Sequence, residues 1–324
     1  MIAHSFGRDC IVLGDIGGTN ARFALLESDR VGRIESVPVA NYERVNDAIE
    51  ALFDRHFDRA SISGAMLAVA GPVENGRVKM TNSPWVIDAD ELRKTFGWNV
   101  CVINDFEAIA WSLPHLAPSD LRLVGRGQAV PTAPAVVLGP GTGLGLACLV
   151  PRPDVAIVLE SEGGHTTLPG GTSREDAIIA HLRERFNHAS AERALSGDGL
   201  VNLYEAICSI ERLQIKKRSA AEITAAALES TCPISIEALD MFCAMLGTVA
   251  GNAALTFAAR GGVYVAGGIA PRIVDFLVNS PFRRRFEAKG RFGAYLSRIP
   301  TAVIIHSHPS FVGLQCLARQ KFRQ

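Results

Sequence analysis

Neither sign of charge is in excess in this sequence. Lys and Arg together number 33 and Asp and Glu together 33, so the formal net charge is zero. Nucleic acid and anionic membrane surfaces are held through a surplus of basic side chains, so neither is expected as a partner. The N-terminal segment MIAHSFGRDC has no long apolar run, which argues against a secretory leader. No two of the 7 cysteines are spaced C-x-x-C; they are scattered at positions 10, 101, 148, 208, 232, 243 and 316. An odd number of scattered thiols suits a reducing cytoplasm, not a disulfide scaffold or a zinc site. Most sit in apolar company, as small core residues do.

Apolar side chain is plentiful. Hydrophobic residues make up 48% of the 324 and charged residues 20%, enough for a sizeable core and against disorder. At about 150 residues per domain, this length fits roughly two domains. Residues 241–259, MFCAMLGTVAGNAALTFAA, are uncharged over nearly the ~20 residues that cross a bilayer. Their Ala and Gly content, with Thr248, Asn252 and Thr256, keeps the run only weakly hydrophobic. We read it as a buried helix whose small residues let neighbours approach.

Strands and helices alternate along the chain, which points to an α/β class. CIVLGDIGG reads as a strand entering a glycine turn and NARFALLE as the strand leaving it. Val45, Ile49, Leu52, Phe53 and Phe57 recur at helical spacing and predict an amphipathic helix over 45–60. AMLAVAG (65–71) and NVCVIND (99–105) suit buried strands, with a helix beginning near Phe106. Between Pro114 and Pro134 four prolines (114, 118, 131, 134) and no strong periodicity mark a domain boundary. AVVLGPGTGLGLACLV then repeats the theme of strand, glycine turn, strand. Thr172 or Ser173 followed by Glu175 or Asp176 predicts a capping box on a helix reaching about Phe186. GVYVAGGIAP (262–271) gives a strand ending in glycines, and a last helix starts at about Pro309. The two glycine-turn hairpins hint at an internal duplication.

Both turns could carry chemistry. In Gly14-Asp15-Ile16-Gly17-Gly18-Thr19-Asn20, backbone amides and the Thr19 hydroxyl can cradle phosphate, and Asp15 could hold Mg²⁺ directly or through water. The motif is neither G-x-G-x-x-G nor G-x-x-x-x-G-K-[ST], and a strand follows it instead of a helix, which demotes Rossmann and P-loop readings. An ordinary hairpin turn is its plain alternative. Gly139-Pro140-Gly141-Thr142-Gly143-Leu144-Gly145 is richer in glycine than a hairpin needs. Two such loops suggest a nucleotide clamped from both sides, with Gly267-Gly268 allowing close approach to adenine or ribose. Asn104-Asp105 ends an apolar strand where a cleft would open, although Asp105 could equally cap the helix at Phe106. Glu162 and His165 flank two glycines, and Glu192 follows Ser190 in an expected first helical turn. His165 has a structural alternative as well, and Glu192 could simply serve the helix dipole.

With these residues in place, the chain resembles the bacterial glucokinases of the non-ROK group, in the hexokinase, actin and Hsp70 superfamily. The likeness rests on GDIGGTNARFAL (14–25), MTNSPW (80–85), INDFEA (103–108), GPGTGLG (139–145), EGGH (162–165), SAERALSGDGLVNLY (190–204) and GGVYVAGGIAPR (261–272), in that order. It implies an actin-like (ribonuclease H-like) two-domain sugar kinase with an interdomain cleft. Residues 1–115 plus 307–324 would form a small α/β domain and 116–306 a large one. It implies ATP-dependent phosphorylation of glucose with Mg²⁺, in a cytoplasmic homodimer. Asp15, Gly17, Gly18 and Thr19 would belong to the first phosphate loop, with Gly14 and Asn20 beside them. Gly141, Thr142 and Gly143, with Gly139, would belong to the second loop, and Gly267 and Gly268 to the adenosine motif. Asn104, Asp105, Glu162, His165 and Glu192 match the sugar-binding set, with Asp105 as catalytic base. The ROK relatives carry a cysteine-rich zinc motif after their EGGH-like element; here LPGGTSREDA follows, so no structural zinc is expected.

The alternatives are a kinase for another hexose or N-acylhexosamine, a sugar-responsive repressor and a filament or chaperone ATPase. Only residues 1–13 precede Gly14, too few for the repressors' helix-turn-helix, and the ATPases need no sugar-binding polar set. Phosphoryl transfer asks mainly for positioning, charge neutralisation and a residue that takes the attacking hydroxyl's proton. Glucose offers only hydroxyls, which two glutamates, an aspartate, an asparagine and a histidine suit. Domain closure would keep out water as a competing acceptor.

Overall fold

The computed structural model describes residues 10–56, 62–80, 83–214 and 216–322. Its strands are β1 (Cys10–Ile16), β2 (Asn20–Glu27), β3 (Arg30–Val31), β4 (Glu35–Pro38), β5 (Ile62–Val69), β6 (Arg77–Lys79), β7 (Val86–Asp88), β8 (Asn99–Asn104), β9 (Leu121–Gly125), β10 (Ala135–Pro140), β11 (Leu144–Val150), β12 (Ile157–Ser161), β13 (Gly262–Val265) and β14 (Thr301–Ile304). The α-helices are α1 (Val45–His56), α2 (Ala89–Phe96), α3 (Asp105–Ser112), α4 (Ser173–Phe186), α5 (Gly197–Ile210), α6 (Ala220–Leu228), α7 (Pro233–Thr256), α8 (Val274–Asn279), α9 (Phe282–Glu287), α10 (Gly293–Leu296) and α11 (Pro309–Phe322). They fall into two compact units, Met1–Leu116 with Ser307–Gln324, and Ala117–His306. Of the expected helix over 45–60, residues 57–60 lie outside the described residues, as do Thr81 and Asn82 of MTNSPW.

The first unit is built on a sheet in the order β3-β2-β1-β5-β8, with β4 also paired to β2. The β1–β2 hairpin is antiparallel, while β1, β5 and β8 run parallel. Leu13, Met66 and Leu67 on the central strands are fully buried, as the continuous apolar runs required. The C-terminal helix α11 lies against α3, and Gly313 is needed there because a Cβ would collide with the Ala108 carbonyl.

The second unit repeats the plan. Its sheet runs β12-β11-β10-β13-β14, with β9 antiparallel at the β14 edge. Again an antiparallel hairpin (β10–β11) is followed by parallel strands (β13, β14). The duplication, faint in sequence, is therefore explicit in topology. β9 lies inside the proline-rich stretch where no regular element was expected. Its alternation is masked because Leu123 on this edge strand is 65% exposed. The uncharged run belongs to α7, the core helix of this unit, with Leu239, Phe242, Met245 and Leu246 fully buried. Gly247 and Gly251 of α7 admit the backbone of α9 at Phe282 and Phe286, where any Cβ would clash. Glu175 gives only half of the expected capping box. Thr172 accepts from the Glu175 amide, but the Glu175 carboxylate turns back to the Gly171 amide at 2.7 Å.

Candidate active site

In the first unit the loop after β1 and the residues after β8 open on the same edge of the sheet, because β1, β5 and β8 are parallel. Strand ends of this kind are where α/β sheets place ligands. The loop is the turn of the β1–β2 hairpin, closed by Gly17 N–H donating to Asn20 carbonyl at 3.0 Å, with Thr19 exposed. The φ angles of Gly17, Gly18, Gly141 and Gly143 are not positive, so these glycines are not required by turn geometry. Gly14 has a packing reason: a Cβ would lie 2.6 Å from Leu67 Cδ2 inside the core.

Asp15 stands at the end of β1. Its Oδ2 accepts from the Ser310 hydroxyl at 2.9 Å and lies 3.6 Å from Arg22 Nη1. Burial pushes the Asp15 carboxyl above its ordinary range, while the Ser310 hydrogen bond, Arg22 and His308 pull it partly back. Both of these contacts fall on Oδ2. Neither Ser310 nor Arg22 was singled out from sequence. Ser310 is 295 positions from Asp15 and announces itself only as a serine in the first turn of a helix.

Asn104, not Asp105, caps α3. Asn104 Oδ1 accepts from the Phe106 amide at 2.8 Å and the Glu107 amide at 3.2 Å, and its amide nitrogen donates to Gly71 carbonyl at 3.1 Å. Asp105 is the first helical residue, half-buried, with its own Oδ1 2.9 Å from the Phe106 amide. The cap thus has an owner, and the structural alternative weighed for Asp105 falls to its neighbour.

In the second unit, the Gly139–Gly145 motif spans the end of β10, a turn over 141–143 and the start of β11, and the turn is pinned by Gly141 N–H donating to Gly143 carbonyl at 2.8 Å. The Gly197 amide, at the start of α5, donates to Gly141 carbonyl at 2.9 Å. Gly267 (φ +83°) packs so tightly on Pro140 that a Cβ would strike its carbonyl. Gly268 and Gly141 are different. A Cβ at Gly268 meets nothing within 4 Å, and one at Gly141 meets only Gly268 N at 3.9 Å. Their side-chain positions face open space, so the fold itself does not demand glycine at either. Gly141→Val is therefore expected to fold and melt as the parent does, while raising KM for a nucleotide triphosphate. Steady-state kinetics with the triphosphate varied checks this, and an unchanged KM would leave the loop a plain turn.

Glu162, His165 and Glu192 come together. His165 Nε2 lies 3.8 Å from Glu162 Oε2 and 4.0 Å from Glu192 Oε2. These separations are too long for hydrogen bonds, so the three groups converge without satisfying one another. The side chains of Glu162 and His165 are 55% and 58% exposed, that of Glu192 29%. The expected helical turn at Glu192 is a short 3₁₀ turn, Ala191–Arg193, while α5 starts later with Ser196 as cap. Instead of serving a helix dipole, Glu192 Oε2 accepts from the Leu144 amide at 2.9 Å. Gly164 is fixed by contact, since a Cβ there would strike the Leu144 carbonyl. Such a set of acceptors and an imidazole can bind a polyhydroxyl ligand. The first unit, taken by itself, offers a carboxylate at a helix start, Asp105, and another at a glycine loop, Asp15.

Comparison with known proteins shows the family. The glucokinase family model matches residues 12–321. The chain is 46% identical over 305 residues to a glucokinase of Nitrobacter hamburgensis, covering 94% of this chain and 95% of that one. It is 45% identical over 309 residues to a glucokinase of Paramagnetospirillum magneticum, with 94% and 96% covered. The solved glucokinase from an Antarctic psychrotroph is 34% identical and superposes with a TM-score of 0.83, covering 96% of this chain and 99% of that one. The twice-used sheet plan is that of the actin-like sugar kinases, and the chain belongs to the glucokinase family.

Proposed function

We propose that this chain transfers the terminal phosphoryl group of ATP to the 6-hydroxyl of D-glucose, releasing ADP and glucose 6-phosphate. The convergence of Glu162, His165 and Glu192, with hydrogen-bonding capacity left over, is the observation that carries the reading. In it these three orient the sugar hydroxyls, Asn104 caps the helix that begins at Asp105, and Asp105 takes the proton of the attacking hydroxyl. Gly17, Gly18, Thr19 and Asn20, with Gly139, Gly141 and Thr142, face the phosphates, and Gly268 the adenosine. Mg²⁺ bound with the triphosphate would supply charge neutralisation, and the Asp15 carboxylate at the glycine loop fits a hard cation, directly or through water. We also propose a cytoplasmic homodimer, in keeping with the scattered spacing of the seven cysteines and the family resemblance.

The test is a coupled assay with Mg-ATP against glucose, mannose, fructose, glucosamine and N-acetylglucosamine, repeated with ADP and polyphosphate as donors. Glucose with ATP is expected to give the highest kcat/KM; preference for another acceptor or donor would replace that part of the reading. Glu162→Ala and His165→Ala are each expected to weaken glucose binding by about 1–3 kcal/mol, because a site built around hydroxyls loses a partner with each. Calorimetry giving parent-like affinity for both would remove them from the sugar site.

A further inference from the structure

Gly143 sits in the turn between β10 and β11 with Gly141, whose side-chain position is open, as is that of Gly268 after β13. Gly143 does not share that freedom. A Cβ on it would lie 2.5 Å from Glu192 Oε2 and 3.4 Å from Glu192 Cδ. The next residue, Leu144, donates its amide to that same Oε2 at 2.9 Å. One carboxylate oxygen is thus seated by the absence of a side chain at 143 and the presence of a donor at 144. The neighbouring Gly164 packs on the Leu144 carbonyl from the other side.

We infer that Gly143 is a positioning residue for the acceptor sugar: its missing side chain makes the space in which Glu192 is held by the Leu144 amide. The inference rests on the reading of Glu192 as a sugar ligand. It moves Gly143 from the phosphates, where the resemblance placed it, to the sugar side of the loop. A carboxylate hydrogen-bonded to a backbone amide has its orientation fixed before a ligand arrives, so the sugar need not order it. A methyl group at 143 cannot coexist with that arrangement. Loop backbone at Gly143 is tied to Gly141 by a 2.8 Å hydrogen bond, so the flexible partner, Glu192, is the one that must swing away.

The experiment is a double-mutant cycle between Gly143→Ala and Glu192→Ala, read by glucose calorimetry without nucleotide, by KM for each substrate and by thermal melting. Gly143→Ala is expected to weaken glucose binding roughly 10–100-fold, the scale of one charge-assisted hydrogen bond, with KM for ATP moved far less. In the Glu192→Ala background the same change should have no further effect on glucose, because the group it displaces is gone. Glu192→Asp, whose shorter side chain withdraws from the added methyl, should restore part of the affinity of Gly143→Ala. Gly141→Ala, in the same loop but in open space, should leave glucose affinity intact. Additive losses in the cycle, or a Gly143→Ala protein with raised KM for ATP and parent-like glucose affinity, would overturn the inference. If Glu192→Ala alone binds glucose normally, the sugar-ligand reading fails first, and that outcome is distinct. Should Gly143→Ala fail to fold, recovery of folding in Gly143→Ala/Glu192→Ala supports the clash, and continued failure refutes it.

Discussion

Asp105→Asn is expected to lower kcat by roughly 10²–10⁴, the range for removing a positioned general base, without changing the melting temperature. The second half of that expectation follows from the cap geometry. The side-chain oxygen that satisfies the Phe106 and Glu107 amides belongs to Asn104, and Asn104 is also tied to Gly71. Asp105 accepts a hydrogen bond from the Phe106 amide, which an asparagine oxygen accepts as well. Size and acceptor survive the substitution, and basicity does not. Glucose affinity should fall modestly, because a charged acceptor becomes neutral. Asn104→Ala supplies the contrast: it removes the cap and should cost about 0.5–2 kcal/mol of stability. Near-parent turnover of Asp105→Asn would end its role as base.

The difference between these neighbours shows where sequence reading stops. Either Asn104 or Asp105 satisfies the statistics of a helix cap, and an offset of one residue decides which is free for chemistry. That offset depends on where β8 lets go of the sheet, at the Val69–Asn104 pair, a long-range fact. Elements written into local pattern were legible: the two glycine hairpins, the strands at 65–69 and 99–104, the helix from Pro309 and the buried helix over 241–256. β9 was not, because an edge strand with one exposed leucine has no alternation to read. The sequence points to a helix at Glu192, whereas α5 begins at Gly197, since both Ser190 and Ser196 look like caps and only the Ser196 side chain acts as one.

The same limit applies to the site. Motif residues were visible as residue types, yet their partners were not. The Leu144 amide that seats Glu192 carries no side-chain signature at all. Ser310 reaches Asp15 only because α11 returns to pack on α3, a contact that joins the chain's ends. The duplicated topology shows in sequence only as a hint, the pair of glycine hairpins. Strand order is set by which apolar faces meet, and that tolerates nearly complete replacement of the side chains involved.

Asp15→Asn should separate function from stability in opposite directions. Activity is expected to fall about 10²–10³-fold, the scale for losing one preorganised charge at a site of phosphoryl transfer. Stability of the ligand-free protein is expected to rise at neutral pH. Burial raises the Asp15 carboxyl above its ordinary value of 3.8, and Ser310, Arg22 and His308 offset only part of that. The folded chain therefore binds this proton more tightly than the unfolded chain does. The group favours folding most below its unfolded value, and that contribution is lost as pH rises through the folded one. Ionising Asp15 in the folded chain works against its burial, whereas asparagine keeps an acceptor for the Ser310 hydroxyl without the charge. Melting curves of both proteins at pH 7 and near pH 4 check the sign: the variant should melt higher at pH 7, with the gap narrowing in acid. A variant that melts lower at pH 7 would mean that Arg22 and Ser310 outweigh burial. Retained activity would take Asp15 out of the phosphate site. Loss of turnover together with a gain in melting temperature is the signature of a charge kept for its chemistry against the preference of the fold.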